Sequence, residues 1–150
     1  MIRFSIVVLL FVVLAGCTGL PDVPEGMPPL VPCTVTVRVD KEPTEGVGVH
    51  FQPQVAVNSD ATSWPAGGKT DMSGRAVMKT AGHYKGVVPG EYVVSFQKHA
   101  PEEYSPDGMA LPSQSLLPEK YALGRSAETV QVTKKQSEYV FDLEGTPSEP

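Results

Sequence analysis

The spacing most suggestive of chemistry in this chain is His99-Ala-Pro-Glu102, because a histidine and a glutamate three apart form the H-x-x-E pair that can hold zinc. A catalytic zinc needs three protein ligands and an open position. Here Pro101 interrupts the pair and no third ligand is placed by the sequence. The other histidines, His50 and His83, have no companion two or four residues away and are expected as surface side chains. Asp60, Asp71 and Asp107-Gly108 offer carboxylates, but no D-x-D-x-D-G spacing for calcium joins them. Each falls where an aspartate bonds its own backbone in a turn. Ser115, Ser126 and Ser137 lack the G-x-S-x-G elbow that exposes a nucleophile, and neither a P-loop nor a dinucleotide fingerprint is present. No catalytic residue, metal or cofactor is therefore expected.

Two cysteines remain, Cys17 and Cys33. Ile6 to Ala15 is uniformly apolar after an opening that carries Arg3 and no acid, the layout of a signal segment. A bilayer span takes roughly 20 apolar residues, about twice this run. The run ends in Leu14-Ala15-Gly16-Cys17, which resembles the lipobox of bacterial lipoproteins. That resemblance implies a signal peptide over 1–16, transfer of a diacylglyceryl group to the Cys17 thiol, cleavage before Cys17 and acylation of the new amino terminus. Several acyl chains, at about 0.8 kcal/mol per buried methylene, make a lasting membrane anchor. Thr18 stands where an aspartate commonly signals inner-membrane retention, so the outer membrane is favoured in a cell that has one. With Cys17 lipidated, Cys33 is left without an internal disulfide partner. It opens an alternating apolar strand and is expected in the core, the alternative being an exposed thiol that pairs between molecules.

Lysine and arginine number 12 against 17 acids, a net charge of −5, and loss of Arg3 with the signal makes the mature chain 11 − 17 = −6. A basic footprint for phosphates is missing, which excludes nucleic acid as an expected partner. Anionic head groups would repel such a chain, so the lipid must do the tethering.

The elements that would position any site are strands. Pro21, Pro24, Pro28, Pro29 and Pro32 make residues 17–32 an extended linker, about 45 Å long at 3.1 Å per residue. Residues 144–150 form a short acidic tail, which leaves one domain over 33–143. Apolar residues alternate in Cys33–Val39 and Val47–Phe51, at Tyr92, Val94 and Phe96, at Val130 and Val132, at Tyr139, Phe141 and Leu143, and weakly at Ala76 and Met78. Turns are expected at Glu45-Gly46, Asp71–Gly74 and Pro89-Gly90, and Lys134–Ser137 reads as the loop of a final hairpin. No helical stripe lasts three turns. The expected fold is an all-β sandwich.

The ordered blocks VTVRVDKEPTEGVGVHFQP, GKTDMSGRAVMKT, GVVPGEYVVSFQK, LPEKYALGRSAETVQV and YVFDL resemble the carboxypeptidase regulatory-like, transthyretin-type small lipoproteins. Glu42 replaces the turn glycine of that pattern, and Ala127 stands where leucine is common. The resemblance implies a transthyretin-like Greek-key β-sandwich of about seven strands, used as a non-catalytic accessory or cell-surface module. Transthyretin-like hydroxyisourate hydrolases end in Tyr-Arg-Gly-Ser, which this chain lacks, so a small hydrolase is the most distant reading.

Two stretches exceed what a sandwich needs: 54–68, with the single tryptophan Trp64, and 99–118, with Tyr104, Met109, Leu111, Leu116 and Leu117. Long loops in compact domains are binding elements or plain surface. The expectation is that Leu116 and Leu117 cover the sandwich end and that Trp64 faces solvent, with Trp64, Tyr84 and Tyr104 as the exposed aromatics. Such aromatics would serve an unidentified protein partner or, alternatively, a glycan as in a carbohydrate-binding module.

Overall fold

The fold is described from a computed structural model, over residues 23–54 and 64–145. Cys17, the signal segment and Asp60 lie outside the described residues. Two β-sheets pack face to face, as the alternation requires. Seven of the strands have three or more residues: β1 (Thr34–Val39), β3 (Gly48–Pro53), β4 (Ala66–Lys69), β5 (Arg75–Val77), β8 (Gly90–Gln97), β9 (Thr129–Val132) and β10 (Glu138–Leu143). Three two-residue strands extend them: β2 (Glu42–Pro43), β6 (Lys79–Thr80) and β7 (Tyr84–Lys85). A single 3₁₀ turn covers Glu119–Tyr121.

In the first sheet β1 lies between β10 on one side and β5 and β2 on the other, and in the second the order is β7-β6-β4-β3-β8-β9. The chain passes between sheets after β2, β4, β5 and β9. The inward residues are those of the period-two pattern: Cys33 just before β1, Val35 and Val37 within it, Val49 and Phe51 from β3, and Tyr92, Val94 and Phe96 from β8. Ring contacts tie the layers together. Phe51 meets Tyr139 of the first sheet at 6.5 Å between centroids and Tyr92 of its own sheet at 5.6 Å, and Phe96 meets Phe141 of the first sheet at 5.1 Å and Tyr121 at 6.2 Å. Each such side chain contributes roughly 1.5–3 kcal/mol by leaving water.

Cys33 belongs to this core at 2% exposure, and burial pushes its thiol up to about 11, so it is not an exposed thiol for intermolecular pairing. Thr70, also buried, holds the chain where it enters β3: its hydroxyl donates to Thr44 O at 2.7 Å and accepts from Val47 N–H at 2.8 Å.

Several expectations are corrected. Lys134–Ser137 is not a hairpin loop, because β9 pairs with β8 in the second sheet while β10 runs parallel to β1 in the first, from Thr34↔Glu138 to Val39↔Leu143. Alternation assigns a strand's face but not its neighbour, and both strands have an inward apolar face. The stretch 54–68 is not loop throughout, since β4 begins at Ala66 and pairs with β3 and β6. Its Gly67-Gly68 gives no apolar signal. Gly68 is required by crowding, because a Cβ there would lie 3.0 Å from Val77 O and 3.1 Å from Met78 Sδ. The domain's backbone pairing also starts two residues before Cys33, with Val31 and Val87 exchanging both N–H···O bonds at 2.9 Å.

Candidate functional site

Residues 98–116 form an arm rather than an irregular loop. Leu116 N–H bonds Lys98 O at 2.7 Å, Ala100 N–H bonds Gln114 O at 2.9 Å, Leu111 N–H bonds Glu103 O at 2.8 Å and Ser105 N–H bonds Met109 O at 2.8 Å. Those pairs share one antiparallel register, as do the bridges His99↔Ser115 and Tyr104↔Ala110. The tip is Ser105-Pro106-Asp107-Gly108, a four-residue turn with proline at its second position and glycine at φ +79° closing it; Gly108 N–H bonds Ser105 O at 2.8 Å. The ribbon continues β8 beyond the sheet.

Large side chains on the arm face water: Tyr104 is 62% exposed, Met109 67%, Leu111 43% and Leu116 40%. Leu117 alone of the apolar pair at the base is buried, so the expected cover of the sandwich end falls to Leu117 and not to Leu116. In an antiparallel ribbon paired residues share a face, so Met109 and Leu111 project together with Ser105 and Glu103. Tyr104 projects opposite, its hydroxyl donating to Glu102 Oε2 at 2.9 Å. Between His99 and Glu119 the chain carries Glu102, Glu103 and Asp107 and no lysine or arginine.

Among the concavities at this arm and the sheet edge, a groove and a hollow bear on the site. A groove of about 570 Å³ lies between the arm's base and the second sheet, lined by Gly46, Gly48, Lys69 and Gln97 on one side and His99 and Glu102 on the other. A hollow of about 490 Å³ opens where β4 and β6 meet β5, lined by Gly68, Lys69, Asp71, Arg75, Val77 and Lys79. Val77 is 55% exposed there. Asp71 is committed to its own turn: one carboxylate oxygen accepts from Ser73 Oγ at 2.6 Å, Ser73 N–H at 2.8 Å and Arg75 N–H at 3.1 Å. Those bonds, the Ser73 hydroxyl first, hold its carboxyl below the usual carboxylate value. Arg75 has a loose contact to Glu138 at 3.4 Å. Among the described residues, no ion pair involves Lys69, Lys79, Glu103 or Asp107.

The structure sorts the residues singled out by sequence. His99 and Glu102 do line one groove, yet among the described residues no three His, Cys, Asp or Glu side chains cluster to hold a metal. His50 and His83 are exposed on separate strands and turns, and Ser115 bonds Leu117 O at 2.9 Å. Trp64 is half-buried, not solvent-facing, because Pro65 O already accepts Ala81 N–H at 3.2 Å and the chain has entered the sheet two residues before buried Ala66. Tyr84 is half-buried in β7, its ring edge-on to His83. Trp64 and Tyr84 stand where Ala66 pairs with Phe51 and Thr80, and Thr80 with Tyr84. Tyr104 rides on the arm, which leaves β8 by Gly48 and Lys69 at the other end of β4. The three aromatics do not form one platform. Sequence reasoning missed the arm's order and the Lys69–Arg75–Lys79 cluster, which is assembled from strands of both sheets. The Pro106-Asp107-Gly108 turn was the available signal for the arm.

No family model and no curated protein matches this chain. Among solved structures it is similar to the crystal structure of BcpA, the major pilin subunit of Bacillus cereus, at a TM-score of 0.39 and 14% identity, covering 81% of this chain and 31% of that one. What stands on the residues themselves is an all-β sandwich with a projecting acidic and apolar arm.

Proposed function

We propose that this protein is an exported, lipid-anchored β-sandwich of the carboxypeptidase regulatory-like type, tethered through Cys17 and acting as a non-catalytic interaction module at the cell envelope. The observation that carries the interaction reading is the arm. Its backbone is paired at intervals from Lys98–Leu116 at the base to Ser105–Met109 at the tip, so the ribbon is ordered, while Tyr104, Met109, Leu111 and Leu116 are left in water. Exposed apolar side chains on an ordered projection incur less ordering entropy on binding than the same residues on a free loop. Aromatic and methionine side chains are also enriched at recognition surfaces. The Leu14-Ala15-Gly16-Cys17 pattern and the proline-rich linker support the tether.

A glycan-binding reading is favoured by one feature, Tyr104 beside Glu102 at the rim of the groove. With Trp64 and Tyr84 at the far end of β4, it rests on that single ring, and the protein-interaction reading takes precedence.

The test places a photo-crosslinking amino acid at Leu111 in the full chain in its native membrane, with Thr129 on the outer face of the second sheet as control. Covalent protein adducts from position 111 and none from position 129 are expected. Equal adducts from both positions, or none from 111, would remove the arm as the docking element.

A further inference from the structure

The arm and the hollow described above are complementary in charge and in chemistry, and both belong to the same chain. The arm offers three carboxylates, Glu102, Glu103 and Asp107, with the exposed side chains of Met109 and Leu111. The hollow offers three cations, Lys69, Arg75 and Lys79, around the exposed Val77. Its one lining acid, Asp71, is engaged by Ser73 and Arg75 through one carboxylate oxygen, and Glu138 lies 3.4 Å from Arg75, so Lys69 and Lys79 are the cations left for a partner. Residues 103–111 do not line the hollow of their own molecule. The hollow measures about 490 Å³, and Gly67 and Gly82 on its wall put no side chain into it.

We propose that the arm of one molecule seats in the hollow of a second copy, with Met109 and Leu111 against Val77 and with Glu103 and Asp107 facing Lys69 and Lys79. This deepens the interaction reading, on which it rests, by naming the partner. The charge distribution favours a like chain over other occupants of the arm. A membrane surface bearing anionic lipid would repel the three carboxylates, and the chain already carries the cationic, part-apolar counter-surface at a place the arm of a neighbour can reach. A ribbon tip buries less than a standard interface, so the contact is weak and exchanging, and it is steered by charge. Confining both partners to one membrane raises their effective concentration.

The full chain in nonionic detergent is followed by sedimentation across a concentration series, at low salt and at about 0.5 M NaCl, where exposed charges are largely screened. Concentration-dependent association that weakens in salt is expected. The arm variant Glu103→Lys with Asp107→Lys, and separately the hollow variant Lys69→Glu with Lys79→Glu, should each weaken self-association at least about tenfold, because like charges then face each other. Mixing the two variants should restore it, since the reversed arm of one meets the reversed hollow of the other, and that rescue also shows that neither variant is misfolded. Wild-type chain that stays monomeric, or a mixture that fails to associate, would overturn the proposal. The Leu111 photo-crosslink separates the two levels. A product of two copies supports self-docking, a product with a different protein overturns it while leaving the interaction module standing, and no product overturns both.

Discussion

Gly74 offers a perturbation whose size follows from the geometry. It closes the Asp71–Gly74 turn at φ +74°, donates to Asp71 O at 2.9 Å and accepts from Val37 N–H at 2.8 Å, so it pins the turn against β1. A Cβ at this position would lie 2.6 Å from Val37 O, 3.0 Å from Thr44 N and 3.1 Å from Pro43 Cα. All three are backbone atoms and cannot rotate away. Gly74→Ala therefore meets two costs: roughly 1–2 kcal/mol for an L-residue in the left-handed region and about 1–3 kcal/mol for forcing the strand and turn apart. The expected loss is about 2–5 kcal/mol, a large share of the roughly 5–15 kcal/mol that holds a typical domain folded.

Gly124 is the internal control. Its φ is +77° and nothing lies within 4 Å of its Cβ position, so Gly124→Ala carries the conformational cost alone. Urea unfolding followed by far-ultraviolet circular dichroism measures both, with the midpoint shifting and the slope unchanged if only stability has moved. Gly74→Ala should fall below Gly124→Ala by about 1–3 kcal/mol. Equal losses would show that the turn is not wedged against Val37 and Pro43, and the packing of the first sheet would need redrawing.

Three further outcomes follow from the same structure. Thr70→Val leaves the buried Val47 N–H without its acceptor and Thr44 O without its donor, and should cost about 1–3 kcal/mol per unsatisfied group by urea unfolding. The turn glycine's place is taken by Lys41 and not by Glu42, which is already in β2: Lys41 stands at φ +69° beside Asp40 at +51° in the two-residue turn between β1 and β2, which suits Asp-Gly. Lys41→Gly should therefore raise stability by about 0.5–1 kcal/mol, read as a higher melting temperature. Burial raises the Cys33 thiol from 9.0 to about 11 and the Tyr92 hydroxyl from 10.0 to about 12. For groups raised in the folded state, the stability they contribute is complete below their unfolded values and is lost as pH rises through the folded ones. Unfolding should become easier between about pH 9 and 12, and Cys33→Ala should move the onset of that slope to higher pH whatever it does to stability at pH 7.

The strands with an apolar alternation were legible in the sequence because a half-buried sheet imposes period two on its residues. Cys33–Val39 and the Tyr92, Val94, Phe96 series lie as that period requires. Legibility stopped at two physical limits. Period two fixes the buried face and leaves the neighbour open, so the inward faces of β9 and β10 could not reveal that they sit in different sheets. A strand without side chains has no pattern, and Gly67-Gly68 in β4 reads as a turn although its bareness is what lets β5 and Met78 approach.

The arm escaped for a related reason. Its order comes from backbone pairing across 98–116, while Pro101, Pro106 and Pro112 interrupt any strand-like run and its apolar residues face water instead of alternating into a core. Individual site residues were legible where their role is local, as with Asp71 capping its own turn. The Lys69, Arg75 and Lys79 cluster needs strands from both sheets and leaves no trace in the order of the chain.

The proposed tether, lipid on Cys17 at the cell envelope, is tested most directly by the intact mass of the protein extracted from membranes, alongside its Cys17→Ala variant. That tether predicts a wild-type chain that begins at Cys17, carries the added mass of a diacylglyceryl group and an amide-linked acyl chain, and partitions into detergent. It predicts a Cys17→Ala chain that keeps residues 1–16 and carries no lipid. Wild-type protein recovered in the aqueous phase at the unmodified mass of a mature chain would contradict it.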